Sequence, residues 1–194
     1  MSIIEDGKGQ GRNAEVDKNN RLQVKSVSEG FNVEAAILGD NYNINTGAVT
    51  LTSADNSAVF YLKNTNEELF IITEVIVILG TSTGGSGDTV VKIIKNPTTG
   101  TIISTATDAD NVENRNFGSS KLFGGHVFKG VEGDDFTNGS EFANTTRSTN
   151  AVINFDADVM VLPKDSTVGV EVEPATGNTS QVVKVAVVGF LFEN

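Results

Sequence analysis

No cysteine or tryptophan occurs in these 194 residues, and there are only three prolines and one histidine. Without cysteine there can be no disulfide framework and no thiolate metal site, so the fold must rest on an apolar core. A body of roughly 160 residues is large enough to bury one without staples. The single histidine, His126 in Gly-Gly-His, is a poor start for nucleophilic catalysis, which needs a base joined to a nucleophile and to an orienting group. Long apolar runs are missing as well. The longest, Leu69–Leu79, is interrupted by Thr73 and Glu74 and is too short to cross a bilayer. The start MSIIEDGKGQ has neither a basic region nor an apolar one, which predicts no signal peptide and folding in a cytoplasm.

Positive charge is also in short supply. Fourteen Lys/Arg stand against twenty-five Asp/Glu, a net charge of −11, and the deficit is unevenly placed. Residues 1–30 balance Lys8, Arg12, Lys18, Arg21 and Lys25 with five carboxylates, whereas residues 31–194 hold nine Lys/Arg and twenty Asp/Glu. An acidic body repels phosphate backbones and anionic lipid heads, so neither nucleic acid nor membrane is an expected partner. The neutral segment is the part suited to touching another acidic protein surface.

What the chain does contain is short β-branched runs between Gly/Asn/Asp/Thr turns. The runs are Ala48–Thr52, Ala58–Lys63, Leu69–Leu79, Thr89–Lys95, Thr101–Thr105, Val152–Leu162, Thr167–Val172 and Ser180–Phe192. This spacing predicts an all-β fold, an antiparallel sandwich or barrel of about eight strands over residues 31–194. Residues 1–30 read as an extended N-terminal arm with little to bury, in which RLQVKSV begins an alternating strand. Phe31–Leu38, with Ala35-Ala36 at its centre, predicts a helical turn. GDNYNINTG and TSADNS read as Asx-rich turns, Leu69–Leu79 as a central strand covered on both faces, and NPTTG as a hairpin turn into Thr101–Thr105. Residues 106–150 read as a long loop pinned to the body by Phe117, Phe123, Phe128, Phe136 and Phe142. In Val152–Leu162, Phe155, Ala157 and Val159 alternate with Asp156 and Asp158.

Candidate chemistry is sparse. Asp108/Asp110, Asp134/Asp135 and Asp156/Asp158 are local carboxylate pairs of the kind a glycosidase sets across a cleft, and solvated turns or sheet faces explain them equally well. No cofactor is expected, and calcium is the better-suited ion where one binds, because Asp, Asn and backbone carbonyls match a hard cation. Its candidate ligands are Asp108, Asp110, Asp134 and Asp135. Asp108–Glu113 opens like an EF-hand loop but has Glu113 where that loop needs glycine. TGGSGD lacks the GK[ST] ending of a phosphate-cradling loop. Three Asn-x-Ser/Thr matches, at Asn138, Asn144 and Asn178, are expected by chance in so Asn/Thr-rich a chain.

The segments GKGQGRNAEVDKNNRLQVKSVSE, GDNYNINTG, STGGSGD, NPTTGTIIS, ENRNFGSS and VLPKDSTVGVEVEPATGNTS resemble small virion proteins of tailed bacteriophages, notably marine ones, over nearly the full length. The likeness is one of phrasing and not of a catalytic motif. It implies a jelly-roll-like body that forms a homotrimer and sits on the capsid surface or in a fibre, with no active-site residues to carry over. Eight strand candidates fit a jelly roll of two four-stranded sheets, and the ending VVKVAVVGFLFEN fits a subunit interface. The resulting expectation is a non-enzymatic capsid decoration (cement) protein, assembled in the host cytoplasm. It would grip the major capsid protein through the arm residues Lys8, Arg12, Lys18, Arg21 and Leu22. The alternative is a head-fibre or tail module that binds host-surface glycans through residues 106–150; a glycan-cleaving enzyme is the distant third.

Overall fold

The computed structural model describes residues 15–16, 22–23, 31–148 and 150–193. The chain divides into two compact units, Met1–Phe31 and Asn32–Asn194. In the first unit, β1 (Glu15–Val16) and β2 (Leu22–Gln23) form an antiparallel ladder that pairs Glu15 with Gln23 and Val16 with Leu22. The strand expected at RLQVKSV thus begins at Leu22, while Val24 and Val27 lie outside the described residues.

The body opens with α1 (Phe31–Leu38), an eight-residue helix over the bounds expected for a helical turn. Two reverse-turn bonds end it, from the Asp40 N–H to the Ala35 carbonyl (2.7 Å) and from the Gly39 N–H to the Ala36 carbonyl (3.2 Å). Gly39 takes the φ of +78° that this helix stop requires.

The strands that follow are β3 (Asn41–Asn45), β4 (Val49–Leu51), β5 (Ser57–Asn64), β6 (Leu69–Leu79) and β7 (Thr89–Lys95). After the short helix α2 (Thr101–Ser104) come β8 (Thr107–Asp108), β9 (Asn111–Asn114), β10 (Gly125–Lys129) and β11 (Ser140–Arg147). The last three are β12 (Ala151–Leu162), β13 (Thr167–Glu173) and β14 (Gln181–Phe192). They build two antiparallel sheets, one ordered β12-β6-β14-β3-β9 with β4 also paired to β14, the other β11-β7-β13-β5-β10-β8. Set aside β4 and β8–β10, and the sheets reduce to β12-β6-β14-β3 and β11-β7-β13-β5. The chain moves between them in the order that defines a jelly roll, with the first body strand paired to the last. The all-β sandwich expectation therefore holds, and β8–β10 extend it between the fourth and fifth strands of the roll.

The two sheets close on one another through alternating residues. Phe70, Ile72, Val75, Val77 and Leu79 of β6 and Val183, Val185 and Val187 of β14 are buried against Phe60, Leu62, Val91, Ile93, Val168 and Val170 of the opposite sheet. Each such side chain contributes about 1.5–3 kcal/mol by leaving water. A second, smaller cluster covers the outer face of the β7-β13-β5 sheet. There Ala58, Tyr61 and Ile102 are buried beneath Ile103, Phe128 and Phe136. Gly169 is required at this place, because a Cβ on it would lie 2.4 Å from the Phe136 ring.

Several sequence expectations need correction. Thr101–Thr105 is not a strand: α2 occupies it, and Ile102 plugs the second cluster. The NPTTG segment therefore does not turn back as a hairpin but crosses the outer face, where the Asn138 carboxamide oxygen accepts the Thr98 and Thr99 N–H groups (2.8 and 3.1 Å). GDNYNINTG is a strand and not a turn, since Tyr42 and Ile44 of β3 are buried against β14. Residues 106–150 carry four strands instead of one long loop. Phe123, Phe128 and Phe136 do pin the region, against Tyr42 and Phe70 or Tyr61. Phe117 instead stands fully exposed, and Phe142 is more than half exposed at the edge of a cleft. β6 is central, but only one of its faces is buried. In β12 the ladder to β6 shifts register between Asp156 and Met160, which interrupts the simple alternation read from the sequence.

Candidate functional site

The residues with chemical potential are scattered. Lys8, Arg12, Lys18 and Arg21 lie outside the described residues, and Leu22 opens β2. Asp110 Oδ1 pairs with the Lys129 ammonium at 2.5 Å. Asp134 is buried, and its Oδ2 accepts the Val131 N–H at 2.8 Å. Asp135 Oδ1 accepts both the backbone N–H and the hydroxyl of Thr101, each at 2.9 Å, which fastens the start of α2. Asp108 stands exposed on β8. Three of the four candidate calcium ligands thus already bind protein groups, and among the described residues no three His, Asp or Glu side chains converge on one point. The pair Asp156/Asp158 has side chains outside the described set.

His126 is exposed on β10 and flanks a depression of 340 Å³ with Asp108 and Phe123. No serine or threonine lines that depression, so base and nucleophile do not meet. A larger cleft of 410 Å³ opens between the two sheets at Ile93, Phe142, Met160 and Leu162, and its lining holds no carboxylate. Glu141 and Glu171, a pair the sequence reading missed because they lie on separate strands, border a third depression of 230 Å³.

The carboxylates that titrate abnormally are structural. Bonds from the Thr101 backbone and hydroxyl hold Asp135 below the usual carboxylate range, and the Lys63 ammonium does the same for Asp165. Hydroxyl bonds from Thr52 and Ser53 lower Glu132. A carboxyl lowered on folding stabilises the native state above its unfolded pKa of about 4, and that support is lost as pH falls through the lower native value. Urea unfolding midpoints should accordingly fall as pH drops below about 4, and Asp135→Asn should flatten that fall while lowering the midpoint at neutral pH. An unchanged acid profile in the variant would remove Asp135 from the account.

The most extended feature is the outer face of the β12-β6-β14 sheet. Its strand registers place Val152, Ile78 and Lys184 in one row, Asn154, Ile76 and Ala186 in the next, and Asp156, Glu74 and Val188 in a third. Asn154 donates its carboxamide N–H to Glu74 Oε1 at 2.5 Å, and the Thr73 hydroxyl donates to the Val188 carbonyl at 3.2 Å. Apolar side chains fill the middle and polar ones edge it, the arrangement found at subunit contacts. Of these strands, the sequence marks the ending VVKVAVVGFLFEN, which supplies β14, as interface material. Which of their residues face outward required the register.

No family model matches the chain, and no curated protein matches it. Among solved structures the chain is similar to a subunit of Bacillus endospore appendages, described as a novel family of disulfide-linked pili. The likeness covers 87% of this chain and 100% of that one at 9% identity, with a TM-score of 0.35. It is also similar to the VP2 subviral particle of infectious bursal disease virus over 80% of this chain and 40% of that one, at 13% identity and a TM-score of 0.11.

Proposed function

We propose that this chain is a non-enzymatic structural component of a bacteriophage virion, a decoration protein that binds the assembled shell on its outer surface. The observation that carries the reading is the charge division: a neutral segment of residues 1–30 joined to a jelly-roll body that holds the whole net charge of −11. A neutral segment can lie on an acidic shell that would repel the body. The major capsid protein is the partner, contacted through Lys8, Arg12, Lys18, Arg21 and Leu22. Neither a cofactor nor calcium is needed for this role. Symmetry-related weak contacts across a shell, multiplied by self-association, give tight binding through effective concentration.

Removing residues 1–21 is expected to leave a folded body that no longer binds shells lacking the protein. Cryo-electron microscopy of the mixture reads the result as loss of density at regular sites, and retained density would overturn the assignment of the arm. A second reading, host-glycan binding by a fibre or tail module, is favoured by one observation: Phe117 is fully exposed on the loop after β9, placed as a stacking platform for a sugar ring. On that reading a glycan array gives a specific hit that Phe117→Ala lowers at least tenfold; an empty array removes it.

A further inference from the structure

The two sheets differ in what covers them. Outside the β7-β13-β5 sheet lies the cluster around Tyr61, Ile102 and Phe136. Outside β12-β6-β14, the described residues supply no such cover, and Val152, Ile78 and Val161 remain 68%, 41% and 46% exposed. An apolar stripe of this kind on a soluble β-sheet marks a contact surface.

The charges on the stripe decide what it contacts. β6 and β14 carry one charged residue each, Glu74 and Lys184, and among the described residues neither has an ion-pair partner. β12 adds Asp156, set beside Glu74 by the ladder, so on a body of net charge −11 this face carries Lys184 at one end and an acidic row at the other. Two copies of so acidic a body repel through most of their surface and can approach through this one. Lys184 lies opposite Ile78 in the ladder, and Glu74 lies four residues further along β6, so Lys184 and Glu74 sit on a diagonal about 14 Å long. A two-fold axis lying in the plane of the face, perpendicular to that diagonal, brings each Lys184 over the Glu74 of the other copy. It crosses the strands of the two sheets at about 40°, close to the roughly 30° at which twisted sheets pack face to face. Such a contact is self-complementary, as a two-fold interface must be.

We propose that the β12-β6-β14 face binds a second copy of this chain in a two-fold dimer, with Lys184 of each copy paired to Glu74 of the other across a stripe formed by Ile76, Ile78, Val152 and Val188. The proposal rests on the reading of the chain as a self-associating structural protein, and it replaces the sequence-based expectation of a trimer.

The test uses the full chain in light scattering coupled to size exclusion, with circular dichroism as the check on folding. The expected result is a dimer whose dissociation constant rises at least tenfold in Glu74→Lys and in Lys184→Glu and returns to within threefold of wild type in the double variant. Zero-length carboxyl–amine crosslinking should also join Lys184 to Glu74 between copies, as identified by mass spectrometry. A monomer, a trimer, single variants that dimerise like wild type, or a double variant that does not recover would each overturn the proposal. Shell binding is read separately: a dimer that fails to decorate shells would leave this inference standing and remove the virion reading.

Discussion

Asn64→Ala is expected to destabilise the body by about 3 kcal/mol, because it strips a buried junction of its bonds. The Asn64 carboxamide N–H groups donate to the carbonyls of Glu68 and Leu162, both at 2.9 Å, and its oxygen accepts from the backbone and side chain of Asn66 (3.0 and 2.9 Å). One fully buried side chain thus ties the β5–β6 turn to the end of β12 in the opposite sheet. Alanine leaves the two carbonyls without these donors, that of Leu162 in a buried place, and a buried orphaned group costs about 1–3 kcal/mol. Asn64→Asp separates geometry from donor capacity. It can still accept from Asn66 but cannot donate to either carbonyl, so it should be at least as destabilising as alanine. Urea unfolding by fluorescence and circular dichroism measures both, and a loss below 1 kcal/mol in each would show that the junction is not held by these bonds.

Phe70→Ala should be larger still, about 3–5 kcal/mol, with a fall in Tm on the order of 10 °C. Phe70 is fully buried on β6, its ring 4.8 Å from that of Phe123, which in turn packs edge-on to Tyr42 at 5.5 Å. It also lies against Gly189 of β14, where a Cβ would come within 2.6 Å of its ring, so the register shift between Val188 and Gly189 and the aromatic cluster fit each other. Removing the ring opens a cavity that neither a glycine nor a rigid β ladder can collapse to fill. Phe70→Leu should recover more than half of the loss. An alanine variant within 1 kcal/mol of wild type would show that Phe123 swings in to fill the space.

The strands that were legible in the sequence are those whose local preference agrees with their place. β6, β7 and β14 are rich in Ile and Val, alternate where one face is wet, and match their expected bounds closely. β3 escaped because three of its five residues are Asn, a turn signal that loses here to the burial of Tyr42 and Ile44. α2 escaped for the converse reason. Thr101-Ile102-Ile103 has strand propensity, and only the pocket awaiting Ile102, together with the grip of Asp135 on Thr101, bends it into a helical turn. The strands within residues 106–150 are short and pair across long separations, Lys129 with Phe60 and Asn114 with Tyr42, and no local pattern announces that. The candidate face was legible only as hydrophobic strands. Its diagonal of opposite charges exists through the pairing of β6 with β14, which no single strand reveals.

That pairing sets when the molecule can come into being. β14 lies between β6 and β3 and also carries β4, so one sheet has no middle until residues 181–192 have left the ribosome. Until then β3, β4 and β6 have no neighbour to accept their hydrogen bonds along that side, and their apolar faces stay wet. Contacts that join the two ends of a body are slow to form and leave the nascent chain open to wrong partners. A chain that stops short of β14 therefore has one of its two sheets in separate pieces, with β6 and β3 no longer joined.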